Sequence, residues 1–551
     1  MIDTIEVTIN GKKYTYSKDV TLQEIYREHQ SSCEHPVLLA RIDNRLRELS
    51  MKIDHDCTVE FLDLSSIEGN RAHINGLVFV MIYAVQKLFG KKSNVIVQHS
   101  IDKGLYLETN FKLTEEKTKL IKKAMQEIIK QDLPIKKLNI DRYDAIKYFN
   151  EVGDPSKAGI LRYNTDNYIT LYRLGNVYNY FYNLLPPSTG KVKEFDLTFI
   201  SDKGLVLQFP TVHHPETIKK YKDHPQMFQA FREHKTWAKL IGLTNCVDLN
   251  RVVSTGKIDD LIKIEETVQN GILLKLSQDI NDHRDKVKIV LMAGPSSSGK
   301  TTTSRKLRMF LEIFGLHPKA ISMDDYFHDK KKTPKDENGE YDYECLEAVD
   351  LELFDKQMAA LLKGEEVTLP TFNFLIGEKE FRNKMKLEDQ DIIIVEGIHA
   401  LDPKILTNIS RDKKYKIYVS PLTELNMDDH NRISTTDNRL LRRIVRDNRT
   451  RNYDVEHTLE QWPKVRDGEE KYIFPYQDEA DNVINSAVVY EIGILKTYAE
   501  PLLYSVENNS PYYEEAKRLL NVLKLFLPIP ADAIPEDAVL REFIGGSYFH
   551  E

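Results

Sequence analysis

A run of buried-strand length, Val287-Lys288-Ile289-Val290-Leu291-Met292-Ala293, leads straight into Gly294-Pro295-Ser296-Ser297-Ser298-Gly299-Lys300-Thr301. A helix-forming stretch then begins at Thr302 and closes at Gly315. Strand, GxxxxGK[ST] loop and helix together make a phosphate-binding P-loop, and the two flanks separate it from a Ser/Gly-rich turn that merely precedes a helix. Gly294 and Gly299 let the backbone turn its N–H groups inward, at a helix N-terminus that already favours anions. Lys300 can reach the β and γ phosphates of a nucleotide, and the Thr301 hydroxyl can ligate Mg²⁺. The stretch Gly294 to Thr302 is therefore expected to bind ATP with Mg²⁺.

A P-loop alone does not distinguish a kinase from an ATPase switch, and the following segments narrow the choice. Strands alternate with helices over residues 287–495, the signature of a parallel sheet covered on both faces. Ala320-Ile321-Ser322-Met323 reads as a strand ending at Asp324-Asp325-Tyr326, and the carboxyl ends of such strands line the ligand crevice. A carboxylate there can take the proton of an attacking hydroxyl, although an aspartate after a strand also serves as a helix cap or turn residue. Asp391-Ile392-Ile393-Ile394-Val395-Glu396 is a third buried strand, and Glu396 falls where a carboxylate would hold Mg²⁺ directly or through water. Arg439, Arg442, Arg443 and Arg446 share one helical face, with Arg449 and Arg451 continuing the cluster into an expected loop. This pattern fits a movable arginine lid that neutralises a transferring phosphoryl group. A solvated basic helix and an RNA-binding face are the alternatives.

The remainder of the 551-residue chain is too long for one domain. Ile5-Glu6-Val7-Thr8-Ile9 alternates as a strand, Asn10-Gly11 signals a hairpin, and Thr21-Leu22-Gln23-Glu24 has capping-box spacing. This order of elements predicts a β-grasp unit over residues 1–66. An apolar helix over 71–89 and short strands define an α+β unit over 67–212, followed by a helical connector over 213–285. The P-loop unit then spans 286–497 and a helical tail 498–551, to which the sequence assigns no function. Cys33, Cys57, Cys246 and Cys345 are widely spaced and form no CxxC pair, which fits reduced thiols. A net charge of −8 gives no global support for RNA binding. The N-terminus shows no secretory signal, and the most apolar run, residues 77–85, falls short of the ~20 residues that span a bilayer. A cytoplasmic protein without membrane association is expected, with oligomerisation left open.

Four ordered blocks resemble the uridine kinase branch of the uridine/cytidine kinase and phosphoribulokinase superfamily. They are Gly294 to Thr301, Ser322-Met323-Asp324-Asp325-Tyr326-Phe327, Val395-Glu396-Gly397-Ile398 and Arg439-Leu440-Leu441-Arg442-Arg443-Ile444-Val445-Arg446-Asp447. The resemblance implies ATP-dependent phosphorylation of a nucleoside 5′-hydroxyl. Asp324 would be the catalytic base, Lys300, Arg439, Arg442, Arg443 and Arg446 would serve the transferring group, and Thr301 and Glu396 would face Mg²⁺. It also places Tyr326, Phe327, Tyr343, Glu344, Phe372 and Phe374 around the acceptor. Two positions depart from the pattern: Glu344 stands where an aspartate is usual, and the family's base-reading histidine is replaced near Gly377. Another sugar or a small alcohol is therefore a rival acceptor.

The N-terminal half resembles the TGS and editing domains of threonyl-tRNA synthetase. Arg71-Ala72-His73, Asp102-Lys103-Gly104-Leu105-Tyr106, Tyr172-Arg173-Leu174-Gly175-Asn176 and Pro187-Ser188-Thr189-Gly190 carry the second likeness. That editing site uses an HxxxH pair with a later cysteine and histidine. Here His73 is followed by Leu77, and Phe181 and Leu185 occupy the later positions, which implies that hydrolytic editing is lost. An ATP-responsive RNA-binding regulator is the second functional reading. The expected architecture is thus multidomain: β-grasp, then α+β, then a doubly wound P-loop α/β fold with helices on both faces.

Overall fold

A computed structural model describes residues 3–30, 34–336, 339–373, 376–423 and 425–549. Phe374 and Cys33 lie outside the described residues.

The first sheet has five strands in the order Lys12–Ser17, Thr4–Ile9, Cys57–Leu62, Leu39–Ile42 and Arg45–Glu48. Thr4–Ile9 runs parallel to Cys57–Leu62, and the other pairings are antiparallel. The hairpin between the first two strands turns at Asn10 and Gly11, with φ of +49° and +75°. These left-handed conformations are what a two-residue hairpin loop demands. The helix Leu22–His29 opens with a complete capping box between Thr21 and Glu24 and buries Leu22, Ile25 and Tyr26 on the sheet.

The next layer is built on the helix Ile67–Phe89, which Gly90 ends. By length and composition this helix could cross a bilayer, but 61% of its apolar window is buried inside the protein. It packs near a four-stranded antiparallel sheet ordered Asp196–Phe199, Gly204–Gln208, Gly104–Thr109 and Val95–Ile101. A second sheet joins Ile135–Asp141, Tyr168–Leu174 and Val177–Asn179. Three helices, Pro225–Leu240, Cys246–Ser254 and Ile258–Asp282, lead to the last sheet.

That sheet is wholly parallel, in the order His317–Ser322, Asp391–Glu396, Ile289–Ala293, Lys414–Ser420 and Asn482–Asn485. The P-loop strand is central and every residue of it is buried, as expected of a sheet covered on both faces. Register sets Glu396 opposite both Met292 and Ser322, so three strands end at one level and deliver their following residues to one edge.

The two halves of the chain are joined through residues 426–431, which lie just before the arginine-rich helix Thr435–Arg451. The Val97 N–H donates to the Asp429 carbonyl at 2.8 Å, and Asn426 Nδ2 donates to the Val97 carbonyl at 2.7 Å. Lys157 Nζ, fully buried, donates to Asp428 at 2.8 Å and to Asp154 at 3.2 Å. The two carboxylates hold its pKa above the usual lysine range against the opposing effect of burial. On the other side, Arg518 in the helix Tyr513–Leu523 grips Asp437 through both guanidinium nitrogens, at 2.6 and 3.0 Å. Glu515 in the same helix accepts from Arg71. Lys157→Ala would leave Asp154 and Asp428 without their shared cation in the interior. A loss of about 3–5 kcal/mol is expected, read from urea unfolding of the full chain.

Candidate nucleotide and acceptor site

The P-loop fits tightly against its surroundings. A Cβ on Gly294 would lie 2.1 Å from the Val419 carbonyl oxygen, so only glycine lets the loop leave its strand here. Gly299 has φ +82° and caps the helix Lys300–Glu312, while a Cβ on it would meet Val539 at 2.4 Å. Lys300 Nζ folds back onto the Gly294 and Pro295 carbonyls, at 2.7 and 3.2 Å. Burial pulls its pKa down, opposed by Glu396, Asp324 and Glu542.

The three acids expected at the cleft are brought together. Asp324 follows its strand in a short turn, Met323–Tyr326, where its N–H donates to Ser322 Oγ at 3.3 Å. Asp324 is solvent-exposed by surface area, yet the protein atoms crowding its carboxylate strip hydration and raise its pKa, which Lys300 lowers and the neighbouring Asp325 pushes up further. Glu396 is likewise raised, mainly by burial, and its Oε2 has no hydrogen-bond partner. Glu344 lies in the field of Arg443, Asp324 and Lys300, and burial raises it as well. Its Cβ would stand 2.9 Å from a Cβ on Gly468, so that glycine admits the acid against the helix Val455–Tyr472.

Phe327, Tyr343 and Phe372 pack on one another close in sequence to these acids, and Phe327 and Phe372 are buried in the same core cluster as Tyr326. Phe327 meets Tyr343 edge-on at 5.3 Å and Phe372 at 5.7 Å, a geometry favourable for aromatic quadrupoles. Asp325 accepts from the Phe372 N–H at 3.1 Å and so ties the strand Val367–Asn373 to the Asp324 turn. Tyr326 corrects the sequence expectation. It is 1% exposed and its hydroxyl donates to Gln357 at 2.8 Å, because the turn points it into the core beneath the cleft.

The arginine helix also departs from expectation. It continues through Arg449 to Arg451 with no loop, and two of its four predicted arginines are buried behind the P-loop. Arg439 Nε donates to the Ser296 carbonyl at 2.8 Å, its guanidinium pairs with Glu469, and it lies 5.4 Å from the Trp462 ring. Arg442 donates to the Ser297 and Ser486 carbonyls and pairs with Glu491. Arg443 and Arg446 remain partly accessible, with Arg443 Nη1 donating to Ser296 Oγ at 2.8 Å and both near Asp447.

Two glutamates also meet backbone donors of the P-loop region. Glu469 accepts from the Ser296 N–H and Glu542 from the Thr302 N–H, each at 3.1 Å. Sequence reasoning missed Glu469, Glu491 and Glu542, since Glu469 is hidden in the acidic run Asp467-Gly468-Glu469-Glu470 and the other two are single acids with no local pattern to mark them.

The residues present fit a magnesium nucleotide. Ser297 Oγ, Ser298 Oγ and Glu396 Oε2 are buried polar atoms without partners at the loop and its neighbouring strand end. Mg²⁺ in nucleotide sites takes one or two protein oxygens and completes its shell with phosphate and water. Thr301 and Glu396 are the residues that would hold it.

The editing-like region shows the opposite. His73 is fully buried, its Nε2 3.1 Å from the Glu194 carbonyl, and burial pushes its pKa down to about 4. Leu77, Phe181 and Leu185 are core residues of one hydrophobic cluster, with Phe181 5.5 Å from Phe79. Apolar packing occupies the positions that would have carried the other polar groups.

Comparison with known proteins finds a separate likeness for each end of the chain. Residues 289–492 match the Phosphoribulokinase / Uridine kinase family. The N-terminal region matches threonine–tRNA ligases. That of Halalkalibacterium halodurans is 30% identical over 202 residues, covering 36% of this chain and 31% of the relative. That of Thermotoga petrophila is 29% identical over 196 residues, covering 35% and 30%. The chain thus spans about a third of the length of these relatives. Among solved structures, a kinase assigned to a fructose transport system in Silicibacter sp. TM1040 is 19% identical, covering 38% of this chain and 98% of that one, with TM-score 0.29. A possible uridine kinase from Bacillus stearothermophilus is 26% identical, covering 24% and 70%, with TM-score 0.20. The C-terminal region is thus a P-loop fold similar to the Phosphoribulokinase / Uridine kinase family, and the N-terminal region is similar to part of threonine–tRNA ligases.

Glu469→Ala would strip the charge partner from buried Arg439 and the acceptor from the Ser296 N–H. The expected result is a stability loss of about 3–5 kcal/mol, with faster amide exchange at Ser296. Urea unfolding and hydrogen exchange measure the two effects.

Proposed function

We propose that the protein is an ATP-dependent nucleoside kinase that transfers the γ-phosphoryl group to a nucleoside 5′-hydroxyl. The observation that carries this reading is the meeting of Lys300, Asp324, Glu344 and Glu396 in one electrostatic neighbourhood. They lie at the carboxyl edge of a parallel sheet, beside the aromatic group of Phe327, Tyr343 and Phe372.

Asp324 would accept the proton of the acceptor hydroxyl as its oxygen bonds to the γ phosphorus and the bond to the β-bridging oxygen breaks. The P-loop N–H groups and Lys300 would stabilise the charge that moves onto the leaving phosphate, with Arg443 and Arg446 on the accessible side of their helix. Thr301 and Glu396 would hold Mg²⁺, which would supply neutralisation of the phosphate charge. The aromatic rings offer an apolar wall for a base, and Glu344 offers acceptors for ribose hydroxyls.

A neighbouring reading keeps the chemistry and changes the acceptor to another sugar or small alcohol. Gly377 favours it: with φ +70° and Lys330 Cβ 3.0 Å from an added Cβ, this position excludes a side chain that would read a base. RNA binding by the N-terminal half is a separate reading, supported by the threonine–tRNA ligase match. It would show as tRNA binding that weakens steeply with salt.

Asp324→Asn should lower turnover by about 10²–10⁴-fold while leaving ATP affinity close to wild type. Near-wild-type turnover in that variant removes Asp324 as the base. Because the Asp324 pKa is raised, the base is lost on acidification sooner than an ordinary carboxylate with pKa ~3.9. The acid limb of kcat/KM should therefore lie above that value, and a pH–rate profile of the wild type checks it.

A further inference from the structure

The C-terminal segment lies on the P-loop and presents it with a carboxylate. Residues 531–545 fold back on themselves, with Arg541 Nη2 donating to the Ala531 and Ile534 carbonyls at 2.9 and 2.8 Å. Leu540 and Phe543 are buried, and the Phe543 ring lies 4.8 Å from the Arg442 guanidinium carbon. Val539 packs against Gly299. Arg449 donates to the backbone carbonyls of Glu542 and Phe543, at 2.9 and 3.2 Å, and Asp537 pairs with Lys306 at 3.1 Å. This backbone is therefore fixed to both the arginine helix and the P-loop helix.

From that fixed backbone the Glu542 side chain reaches the first turn of Lys300–Glu312, where its Oε2 accepts from the Thr302 N–H at 3.1 Å. Its charge is also felt by Lys300 and Glu396. The backbone N–H groups of this loop and first turn are the donors that cradle nucleotide phosphates, and the helix end favours any anion placed there. A carboxylate and a phosphate cannot occupy one donor together, and like charges brought to the same place repel.

We propose that Glu542 is a built-in competitor of the nucleotide, an intramolecular anion that must swing off the Thr302 N–H before a nucleotide phosphate can take it. The tail backbone stays docked, and only the side chain exchanges. The proposal rests on the nucleotide-binding reading of the P-loop. Its consequence is an apparent ATP affinity reduced by the fraction of molecules in which the donor is free.

Calorimetric titration of the full-length wild type, Glu542→Ala, Glu542→Gln and Asp532→Asn with ATP and Mg²⁺ tests it, with thermal melting to verify that each variant is folded. Glu542→Ala should bind ATP about tenfold more tightly, as for a competitor that holds the donor ~90% of the time. Glu542→Gln, which keeps the shape without the charge, should shift in the same direction by less. Asp532→Asn removes a negative charge from an exposed position of the same segment and should leave affinity unchanged. Unchanged or weaker binding in the folded Glu542 variants overturns the proposal. Equal tightening in Asp532→Asn also overturns it, by showing that only the net charge matters. Failure of every folded variant, wild type included, to bind ATP instead overturns the nucleotide reading itself.

Discussion

The geometry of the site depends on two buried ion pairs behind the P-loop, Arg439 with Glu469 and Arg442 with Glu491. A phosphate-binding loop needs its N–H groups turned toward the ligand, which leaves its carbonyls pointing the other way and in need of donors. The arginine helix supplies them: Arg439 bonds the Ser296 carbonyl and Arg442 the Ser297 carbonyl, while Ser486 Oγ bonds the Ser298 carbonyl at 2.5 Å. Guanidinium groups held this way lie in the interior and must be neutralised there. The two glutamates do so from helices far away in sequence. Such pairs contribute little net stability over apolar packing, but removing one partner leaves a stranded charge. Their value here is in shape, since they hold two successive carbonyls in place beside the third that Ser486 holds.

The same arrangement ties the loop to the rest of the chain. The arginine helix is entered from residues 426–431, which are hydrogen-bonded to the strand Val95–Ile101, and Asp437 in its first turn is gripped by Arg518. Arg518 and Arg71 share Glu515, so a chain of three ion pairs, Arg71 with Glu515, Glu515 with Arg518 and Arg518 with Asp437, links the helix that opens the N-terminal α+β layer to the arginine helix. The N-terminal region is in this way a structural neighbour of the P-loop site, and Leu77, Phe181 and Leu185 lie in its hydrophobic core.

What the sequence made legible was local. The P-loop, the acids ending two strands, the Asn10-Gly11 turn and the Thr21–Glu24 capping box all announce themselves within a few residues, because backbone geometry and caps are set by near neighbours. The pairing of Arg439 with Glu469 and of Arg442 with Glu491 spans 30 and 49 residues, and Glu542 meets Thr302 across 240. No periodicity encodes such partners. For the same reason an exposed lid was the natural expectation for Arg439 and Arg442, since isolated arginines on a helix are usually solvated. Tyr326 was misplaced on a finer scale: in the tight turn that carries Asp324 to the cleft, a residue two positions on faces the core.

The central claim is that this cleft moves a phosphoryl group from ATP to an alcohol. The most direct measurement is ³¹P NMR of the full-length protein with ATP and Mg²⁺, incubated in turn with a panel of nucleosides, sugars and small alcohols. The account predicts a new phosphate monoester resonance that appears with ADP for at least one acceptor, a nucleoside first among them. ATP hydrolysis to inorganic phosphate at the same rate with and without every acceptor would contradict it.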